Sequence, residues 1–353
     1  MLQPPSPHIR PSVPQLAGQL GAEIAARGLL PGDRFLTTEE AARHLKVRRD
    51  LANRALQVLV QRGLIERSQR IGARVVEPSQ ATRIFDRVHI VVQGNHPRVQ
   101  TIPSPAFQVG LHGALPGCEI DVEQVSAEGA AAVLRGVLRK STTEGLVLVR
   151  CDYPTQRLAQ DCGLPAVLHG SAYAGIDLPS VDLDGEQMGR IQAQALIEKG
   201  SERLVVVRRD RALPGDRAFM TGFRSAAEER GFGCTRIDEL ELAPHPEVVA
   251  AEIALLFQQD AKLGIVCTAR QLADALWTVA RESGRLEGES FWLHGNRTGS
   301  APSLPPYAYL SPREDDEAQG AELGRMLAER LVDPSCEASH HRVPCDLIPR
   351  TNS

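Results

Sequence analysis

The sequence predicts an α/β protein in which a small helical N-terminal domain precedes two lobes, each a doubly wound parallel sheet. Three observations support this prediction. Short helical patterns fill residues 14–61, and two short strand patterns follow them. From residue 87 onward, apolar strand patterns alternate with helical ones, as in the βαβ units of a parallel sheet. The alternation begins again near Ser180, which favours two lobes in series over one large sheet.

Charge is divided unevenly along the 353 residues. Residues 1–80 contain 12 Lys and Arg against 7 Asp and Glu, a net charge of +5, whereas the rest of the chain carries −9. A basic N-terminal part on an acidic body predicts that only the N-terminal part meets a polyanion such as DNA. Chance variation of surface charge is the alternative explanation.

Cysteine usage and hydropathy predict a cytoplasmic protein. The seven cysteines are scattered without a C-x-x-C pair, which favours reduced thiols over a disulfide framework or a zinc site. No apolar run approaches the roughly 18 residues that cross a membrane, so no membrane partner is expected. Residues 1–13 are Pro-rich, lack the apolar segment of a secretion signal and are predicted to be a mobile tail.

The first two helices are predicted from apolar spacing and from a capping pattern. A helix over residues 15–27 follows from the apolar residues that recur at steps of four from Leu16 to Ile24. Thr37 or Thr38 can cap the start of the second helix, and Thr37 and Glu40 have the spacing of a capping box.

The third helix is predicted over Arg49–Gln61 and ends before Gly63. Two short strands follow at 64–67 and 74–76, joined by residues 68–73. Three helices and a hairpin, with a tight turn between the second and third helices, form a winged helix-turn-helix. In that arrangement the third helix enters the DNA major groove.

Polar and basic side chains cluster around the start of the third helix and in the hairpin. Arginine suits bidentate contact to guanine, asparagine can pair with adenine, and arginines of a wing can reach phosphates or the minor groove. For any single arginine, a solvated helix face is the alternative. The predicted DNA-binding residues are Thr37, Thr38, Arg48, Arg49, Asp50, Asn53, Arg54, Arg67, Arg70, Gly72 and Arg74.

An ordered series of residues runs almost unbroken from 16 to 76. It comprises Leu16, Leu20, Ile24, Leu30-x-Pro-Gly-Asp-Arg34, Ala42, Leu45-x-Val47, Arg49, Ala55-Leu56, Leu59, Gly63-Leu64-Ile65, Arg67, Gly72 and Val75. This series resembles the GntR-type winged-helix domain, and the resemblance implies a DNA-binding regulator.

The chain departs from the GntR-type pattern at a few positions. Glu39 stands where that family usually has an arginine that contacts DNA, and Asp50 and Leu51 replace two threonines after Arg49. Only Gly72 remains of the usual Gly-rich wing tip. These departures imply an altered operator preference, with weakened DNA binding as the alternative.

The body of the chain alternates between strand and helix patterns. Strands are predicted at 88–92, 119–125, 145–149, 165–168, 203–208, 235–241, 263–267 and 290–294. Helices are predicted at 105–115, 127–139, 155–162, 185–199, 216–230, 247–259 and 271–283. In such lobes a ligand binds between the lobes, at the carboxyl ends of the strands.

Several motifs follow one another through the body. They are Gly145–Val149, Leu164–Leu168, Val181-x-x-Asp184-Gly185-x-x-x-Gly189, Leu196-Ile197-x-x-Gly200-x-x-Arg203-Leu204, Gly222-Phe223, Ala226, Gly231 and Asp346–Ser353. Their order resembles the periplasmic-binding-protein-like effector domain of LacI-type repressors. The resemblance implies that the chain crosses between the lobes three times, near Asp182–Asp184, Leu310–Pro312 and Asp333–His340.

These assignments predict three structured parts. A DNA-binding domain spans residues 14–77, a linker 78–86 and a two-lobed effector domain 87–353. Lobe 1 is predicted at about 87–182 and 311–333, and lobe 2 at about 183–310 and 340–353.

Residues that follow the strands are the candidates for effector contact. They are Gln93, Asn95, Phe107, Arg150, Asp152, His169, Tyr173, Arg217, Phe219 and Asn296. Phe107 and Tyr173 can stack on a sugar ring, or they can be core aromatics. Phe219 and Asn296 stand where sugar and nucleobase repressors commonly carry Arg and Asp, which weakens the case for an ordinary monosaccharide.

The combined features predict a ligand-responsive transcriptional regulator, expected to be a repressor. It is expected to bind double-stranded operator DNA as a homodimer and to bind a small polar effector, a sugar or sugar derivative. The sequence has no G-x-S-x-G, Walker or H-E-x-x-H motif, so no enzymatic activity, cofactor or metal is expected. A metabolite-sensing module with vestigial DNA binding is the alternative.

Overall fold

The computed structural model describes residues 13–61, 63–68, 72–76, 85–94, 103–138, 144–209, 213–242, 246–257, 262–285, 287–288, 290–296, 304–332 and 336–350. Residues 1–12 of the predicted tail and most of the predicted linker lie outside these ranges. The same holds for two predicted site residues, Arg70 and Asn95. Within them, no helix is both long enough and apolar enough to cross a membrane.

Three helices and a hairpin form the N-terminal unit. They are α1 (Val13–Ala26), α2 (Thr38–Leu45), α3 (Arg49–Gln61), β1 (Ile65–Ser68) and β2 (Gly72–Val75). The capping box at Thr37 is confirmed: its hydroxyl accepts from the amide of Glu40 at 3.3 Å, and the Glu40 carboxylate accepts from the amide of Thr37 at 2.7 Å. Helix α2 ends at Lys46, which adopts a left-handed conformation with φ of 54° and so turns the chain into α3.

One apolar core holds the N-terminal unit together. Leu16 and Leu20 of α1 are buried against Leu56 and Leu59 of α3, and Phe35, before α2, closes the core at 2% exposure. Burial of each such side chain contributes about 1.5–3 kcal/mol relative to exposure. The position of α3 is therefore fixed by its apolar face, which leaves its opposite face to solvent.

The rest of the described chain alternates strand and helix. The elements are β3 (Arg87–Gln93), α4 (Pro105–Ala114), β4 (Glu119–Val125), α5 (Ala127–Val137), β5 (Glu144–Val149), α6 (Tyr153–Asp161), β6 (Ala166–His169), β7 (Ser180–Leu183), α7 (Gly185–Glu198), β8 (Arg203–Arg209), α8 (Pro214–Glu229), β9 (Ile237–Leu242), α9 (Pro246–Leu256), β10 (Leu263–Cys267), α10 (Arg270–Glu282), β11 (Phe291–Asn296), β12 (Ala308–Pro312), α11 (Asp316–Val332), β13 (His340–Val343) and β14 (Cys345–Ile348).

These strands build two six-stranded sheets, one in each lobe. The first has the order β13-β7-β6-β5-β3-β4 and the second the order β14-β12-β11-β10-β8-β9. Neighbouring strands pair in parallel throughout, except that β14 runs antiparallel to β12. The predicted parallel sheets are thus confirmed. Their central strands are buried on both faces, as expected when helices cover both sides.

The third crossing between the lobes differs from its prediction. The expected position was Asp333–His340, with everything from residue 340 in lobe 2. Strand β13 instead pairs with β7 in the first sheet, with Val343 opposite Leu183, and β14 pairs with β12 in the second. The chain therefore crosses at Pro344. Pairing partners far away in sequence set this position, so local patterns could not reveal it.

Two helix pairs approach until their backbones meet at glycines. In the first lobe, a Cβ on Gly110 of α4 would stand 1.9 Å from the carbonyl oxygen of Glu317 in α11. In the second lobe, a Cβ on Gly189 of α7 would stand 2.1 Å from the carbonyl oxygen of Phe219 in α8. Only glycine permits such contact between backbones. Each lobe consequently has one tightly fixed helix pair.

Candidate functional site

The start of α3 presents charged side chains to solvent. The guanidinium of Arg49 lies 3.0 Å from the carboxylate of Glu39 in the first turn of α2, and their side chains are 75% and 58% exposed. The guanidinium of Arg48 lies 3.1 Å from the carboxylate of Asp50. Both predicted recognition arginines therefore face outward, and each has a carboxylate beside it.

Arg67 of β1 joins two other predicted DNA-binding residues to the hairpin. One terminal nitrogen donates to the side-chain oxygen of Asn53 in α3 at 2.9 Å, and the other donates to the hydroxyl of Thr38 in α2 at 3.0 Å. The sequence singled out these residues separately, with Arg67 as a contact to phosphates or to the minor groove. The structure gives Arg67 a positioning role, because it ties the hairpin to both helices.

The remaining predicted residues of this surface lie on α3 and the hairpin. Arg54 is exposed on α3. Arg74 of β2 donates to the backbone oxygen of Gly32 at 3.2 Å, so it too supports the local fold. Gly72 has a φ of +83° with open space around it, so its backbone conformation, and not crowding, favours glycine.

Two predicted effector contacts in the first lobe bind each other. The side chain of Gln93, at the end of β3, donates to the Asp152 carboxylate at 2.8 Å and accepts from the Asp152 amide at 2.9 Å. Asp152 also caps α6 through the amide of Thr155. Gln93 and Asp152 are 4% and 8% exposed. They form a fixed polar wall at the carboxyl end of the first sheet.

Phe107 and His169 form a stacked pair in the first lobe. Their ring centres lie 4.8 Å apart with an angle of 21° between the planes. Phe107 is 1% exposed, so it is a core aromatic, and the prediction that it stacks on a ligand is not supported. Burial lowers the pKa of His169, partly offset by the charge of Asp316 and a hydrogen bond with Gln319. The imidazole is therefore neutral near pH 7.

Arg150 and Tyr173 occupy the loops that follow β5 and β6. Arg150 has a left-handed backbone conformation with φ of 56°, which is uncommon for a side chain of its size. The amide of Tyr173 donates to the side chain of Gln156 at 3.1 Å. The Tyr173 ring meets Tyr153 edge-to-face at 5.9 Å. Both residues are partly exposed, and their contact with a ligand stays a prediction.

In the second lobe, Asn296 belongs to a buried polar group that the sequence did not reveal. Its side chain accepts from Gln192 of α7 at 3.3 Å and donates to the backbone oxygen of Thr268 at 3.3 Å. Asn296 and Thr268 are 7% and 8% exposed, at the carboxyl ends of β11 and β10. The hydroxyl of Thr268 has no hydrogen-bond partner among the described residues. The group formed by Asn296, Gln192 and Thr268 therefore offers neutral hydrogen-bonding side chains in the second lobe.

Phe219 does not take the position expected of it, and the effector contact of Arg217 stays a prediction. Phe219 is 3% exposed and stacks with Phe223 inside the core of the second lobe. The prediction that it contacts the effector is therefore wrong, because α8 turns this position toward α7. Arg217 is exposed on α8, and its carbonyl oxygen accepts from the Thr221 hydroxyl.

Asp182, near the end of β7, lies where the lobes meet. The hydroxyl of Ser171 donates to its carboxylate. Gly215, in the first turn of α8, approaches it so closely that a Cβ there would stand 3.3 Å from the same carboxylate. Burial raises the pKa of Asp182, partly offset by the hydrogen bond from Ser171. The sequence had marked this segment only as a crossing.

The described residues form no metal-binding cluster. No group of three or more His, Cys, Asp or Glu side chains there could hold a metal ion. The carboxyl ends of the two sheets instead carry buried amide and hydroxyl groups, the carboxylate of Asp152, and nearby arginine, histidine and tyrosine side chains. Such a lining suits noncovalent binding of a small polar molecule.

Comparison with known proteins identifies this two-lobed body. The family model of the periplasmic binding proteins and sugar binding domain of the LacI family matches residues 122–349. That match covers more than half of the chain, so the protein belongs to this family. It is a family of binding domains and regulators, not of enzymes, as the sequence predicted. No curated protein matches the chain.

Solved structures share the fold. The probable maltose operon transcriptional repressor MalR from Staphylococcus aureus is 14% identical, with a TM-score of 0.65, over 75% of this chain and 97% of that one. The CelR–cellobiose complex is 19% identical, with a TM-score of 0.63, over 98% of this chain and all of that one. A LacI-family regulator from Enterococcus faecium with bound ribose is 15% identical, with a TM-score of 0.62, over 76% of this chain and 98% of that one.

Proposed function

We propose that this protein is a DNA-binding transcriptional regulator, a repressor, that responds to a small-molecule effector in the cytoplasm. Residues 14–77 form a GntR-type winged helix-turn-helix domain, 78–86 a linker and 87–353 the effector-binding domain. The observation that carries the proposal is the exposed arginine-rich start of α3, held on its own apolar core in a chain whose body belongs to the LacI sugar-binding family.

The proposed reading surface follows from how α3 is held. Its apolar face is buried against α1, so the side chains at its start point into solvent, where a major groove can meet them. Arg49 is the proposed guanine contact, and Arg48 and Arg54 supply charge toward the backbone phosphates. Arg67 keeps Asn53 and Thr38 in place beside them. A homodimer would present two such surfaces to a two-fold operator.

The proposed effector is a sugar or sugar derivative bound between the lobes. Support comes from the family match and from the cellobiose and ribose carried by two structures of the same fold. Hydroxyl groups of a sugar fit the neutral side chains of Asn296 and Thr268 better than an ion does. The fully buried Gln192 holds Asn296 in place behind them. A ligand that prefers one arrangement of the lobes would shift operator affinity.

DNA binding is tested by fluorescence anisotropy on duplexes from the promoter regions nearest the gene. Arg49→Ala is expected to weaken binding to the preferred duplex by about 1–3 kcal/mol, as for loss of a bidentate base contact. Arg27→Ala is the matched control, because it removes one exposed arginine of the same domain outside α2 and α3. Equal affinities for the wild type and Arg49→Ala on every duplex would contradict the proposal.

Effector binding is tested by thermal unfolding in the presence of cellobiose, maltose, ribose and other sugars. A ligand that binds only the native state at 100 times its dissociation constant adds about 2.7 kcal/mol of stability, and so raises the melting temperature. Asn296→Leu is expected to abolish the shift for the active sugar. A panel without any shift, combined with operator binding that no sugar alters, would argue against a sugar effector.

A second candidate function is a metabolite sensor with vestigial DNA binding. The pairing of Arg49 with Glu39 and of Arg48 with Asp50 favours it, because each carboxylate cancels a charge that would attract DNA. Under this alternative the sugar shift persists while the anisotropy shows no dependence on sequence.

A further inference from the structure

Glu39 carries a carboxylate at the proposed reading surface that takes no part in the capping box of α2. The capping of α2 is performed by Thr37 and Glu40, through the side chains and amides of those two residues. The carboxylate of Glu39 contacts Arg49, and this exposed pair contributes little to stability. The pairing therefore calls for an explanation outside the folding of the N-terminal unit.

The pair joins an acceptor and a donor at hydrogen-bond distance at the start of α3. The carboxylate oxygen of Glu39 and the terminal nitrogen of Arg49 are 3.0 Å apart. In the major groove, a G·C pair displays the guanine O6 and N7 acceptors next to the cytosine N4 amino donor. The guanine O6 and the cytosine N4 are themselves hydrogen-bonded neighbours. A donor and an acceptor held side by side match those two groups.

We propose that Glu39 and Arg49 read one G·C base pair as a unit. Arg49 donates to guanine O6 and N7, and Glu39 accepts from the N4 amino group of cytosine. The inference rests on the proposed DNA-binding function and adds the base preference of one operator position. Glu39 is thus a specificity-determining residue, not a lost contact.

The chemistry separates specificity from affinity. A carboxylate near the duplex is repelled by phosphates of every sequence, which lowers general affinity. The repulsion is offset only where a cytosine amino group satisfies the carboxylate, so wrong sequences are penalised more than the right one. The neighbouring Arg48–Asp50 pair, at 3.1 Å, repeats the combination one residue away.

The experiment measures the binding of the full chain to a library of duplexes in which each position of the half-site is varied in turn. Wild type, Glu39→Gln, Glu39→Ala and Arg49→Ala are compared at two salt concentrations. Glu23→Gln is the matched control, because it removes one negative charge from the same domain at a residue that pairs with Arg27 and His44 instead. Unfolding curves of the domain verify that each variant is folded.

At one position, the wild type is expected to prefer G·C over A·T by roughly tenfold or more, as for a good base contact. Both Glu39 variants are expected to reduce this ratio to a few-fold at that position alone, and Glu23→Gln to leave it unchanged. If the Glu39 variants bind every sequence more tightly by the same factor, Glu39 only screens charge and the proposal is wrong. An unchanged ratio overturns it as well. If wild type and Arg49→Ala bind all duplexes alike, the DNA-binding function itself fails.

Discussion

Gly189→Ala tests the backbone contact that fixes the helix pair of the second lobe. The new Cβ would stand 2.1 Å from the carbonyl oxygen of Phe219 and 2.6 Å from the amide nitrogen of Phe223. Both are backbone atoms in the middle of α8, so no change of rotamer can relieve the overlap. Helices α7 and α8 must move apart instead.

The magnitude follows from the distance required. A carbon and a carbonyl oxygen approach to about 3.3 Å at closest, so the helices must separate by about 1 Å. Met188, Phe219 and Phe223, which pack between the helices, would lose contact. Overpacking of this kind costs about 1–3 kcal/mol. Alanine has a better helix propensity than glycine, which stabilises the folded state by at most about 1 kcal/mol. Net destabilisation is therefore expected.

Urea unfolding measures the effect, and tryptophan fluorescence reports it from the correct lobe. The two tryptophans of the chain, Trp277 and Trp292, lie in α10 and β11 of the second lobe. Gly136→Ala is the matched control, because a Cβ at this helical position in α5 meets nothing within 4 Å. It is expected to be neutral or slightly stabilising. A midpoint for Gly189→Ala at or above that of wild type would refute the argument from backbone contact.

Two further predictions concern a charged fork and a buried histidine. Arg67→Ala is expected to lower the stability of the N-terminal unit by about 1 kcal/mol, because the hydrogen bonds to Thr38 and Asn53 are lost. Arg67→Lys should not restore that stability, because an ammonium cannot make both bonds in fixed geometry. A melting curve in which the lysine variant recovers fully would contradict this role. Burial lowers the pKa of His294 to about 3 in the folded protein, against an ordinary value of 6.5 in the unfolded chain. The unfolded chain therefore binds a proton more readily, so the free energy of unfolding is highest above pH 6.5 and falls as the pH drops toward 3. His294→Leu should flatten the stability–pH curve between pH 6.5 and 4, and an unchanged slope in that window would show that other groups govern acid unfolding.

Local signals in the sequence predicted most of the fold. The capping box at Thr37 and Glu40 depends on residues three apart, and the buried strands β5 and β10 are continuous apolar runs. Such features depend on neighbours along the chain, so they can be read without tertiary information. The start of α3 was predicted in the same way, and its arginines are exposed as expected.

Features that depend on distant partners could not be predicted. The placement of Phe219 depends on how α8 rotates against α7, and a comparison of family positions does not give that rotation. Gln192 looks like any polar residue of a helix, yet it is fully buried against Asn296. The bond from Arg67 to Thr38 joins residues 29 positions apart.

The crossing at Pro344 has a consequence for the order of synthesis. Strands β13 and β14 follow all the other described elements, and each completes the edge of a different sheet. A ribosome must therefore make residues beyond 340 before either lobe is whole, whereas the N-terminal unit is contiguous and complete by residue 76. The N-terminal unit can therefore fold early on the nascent chain. The two-lobed body must wait for almost the entire polypeptide.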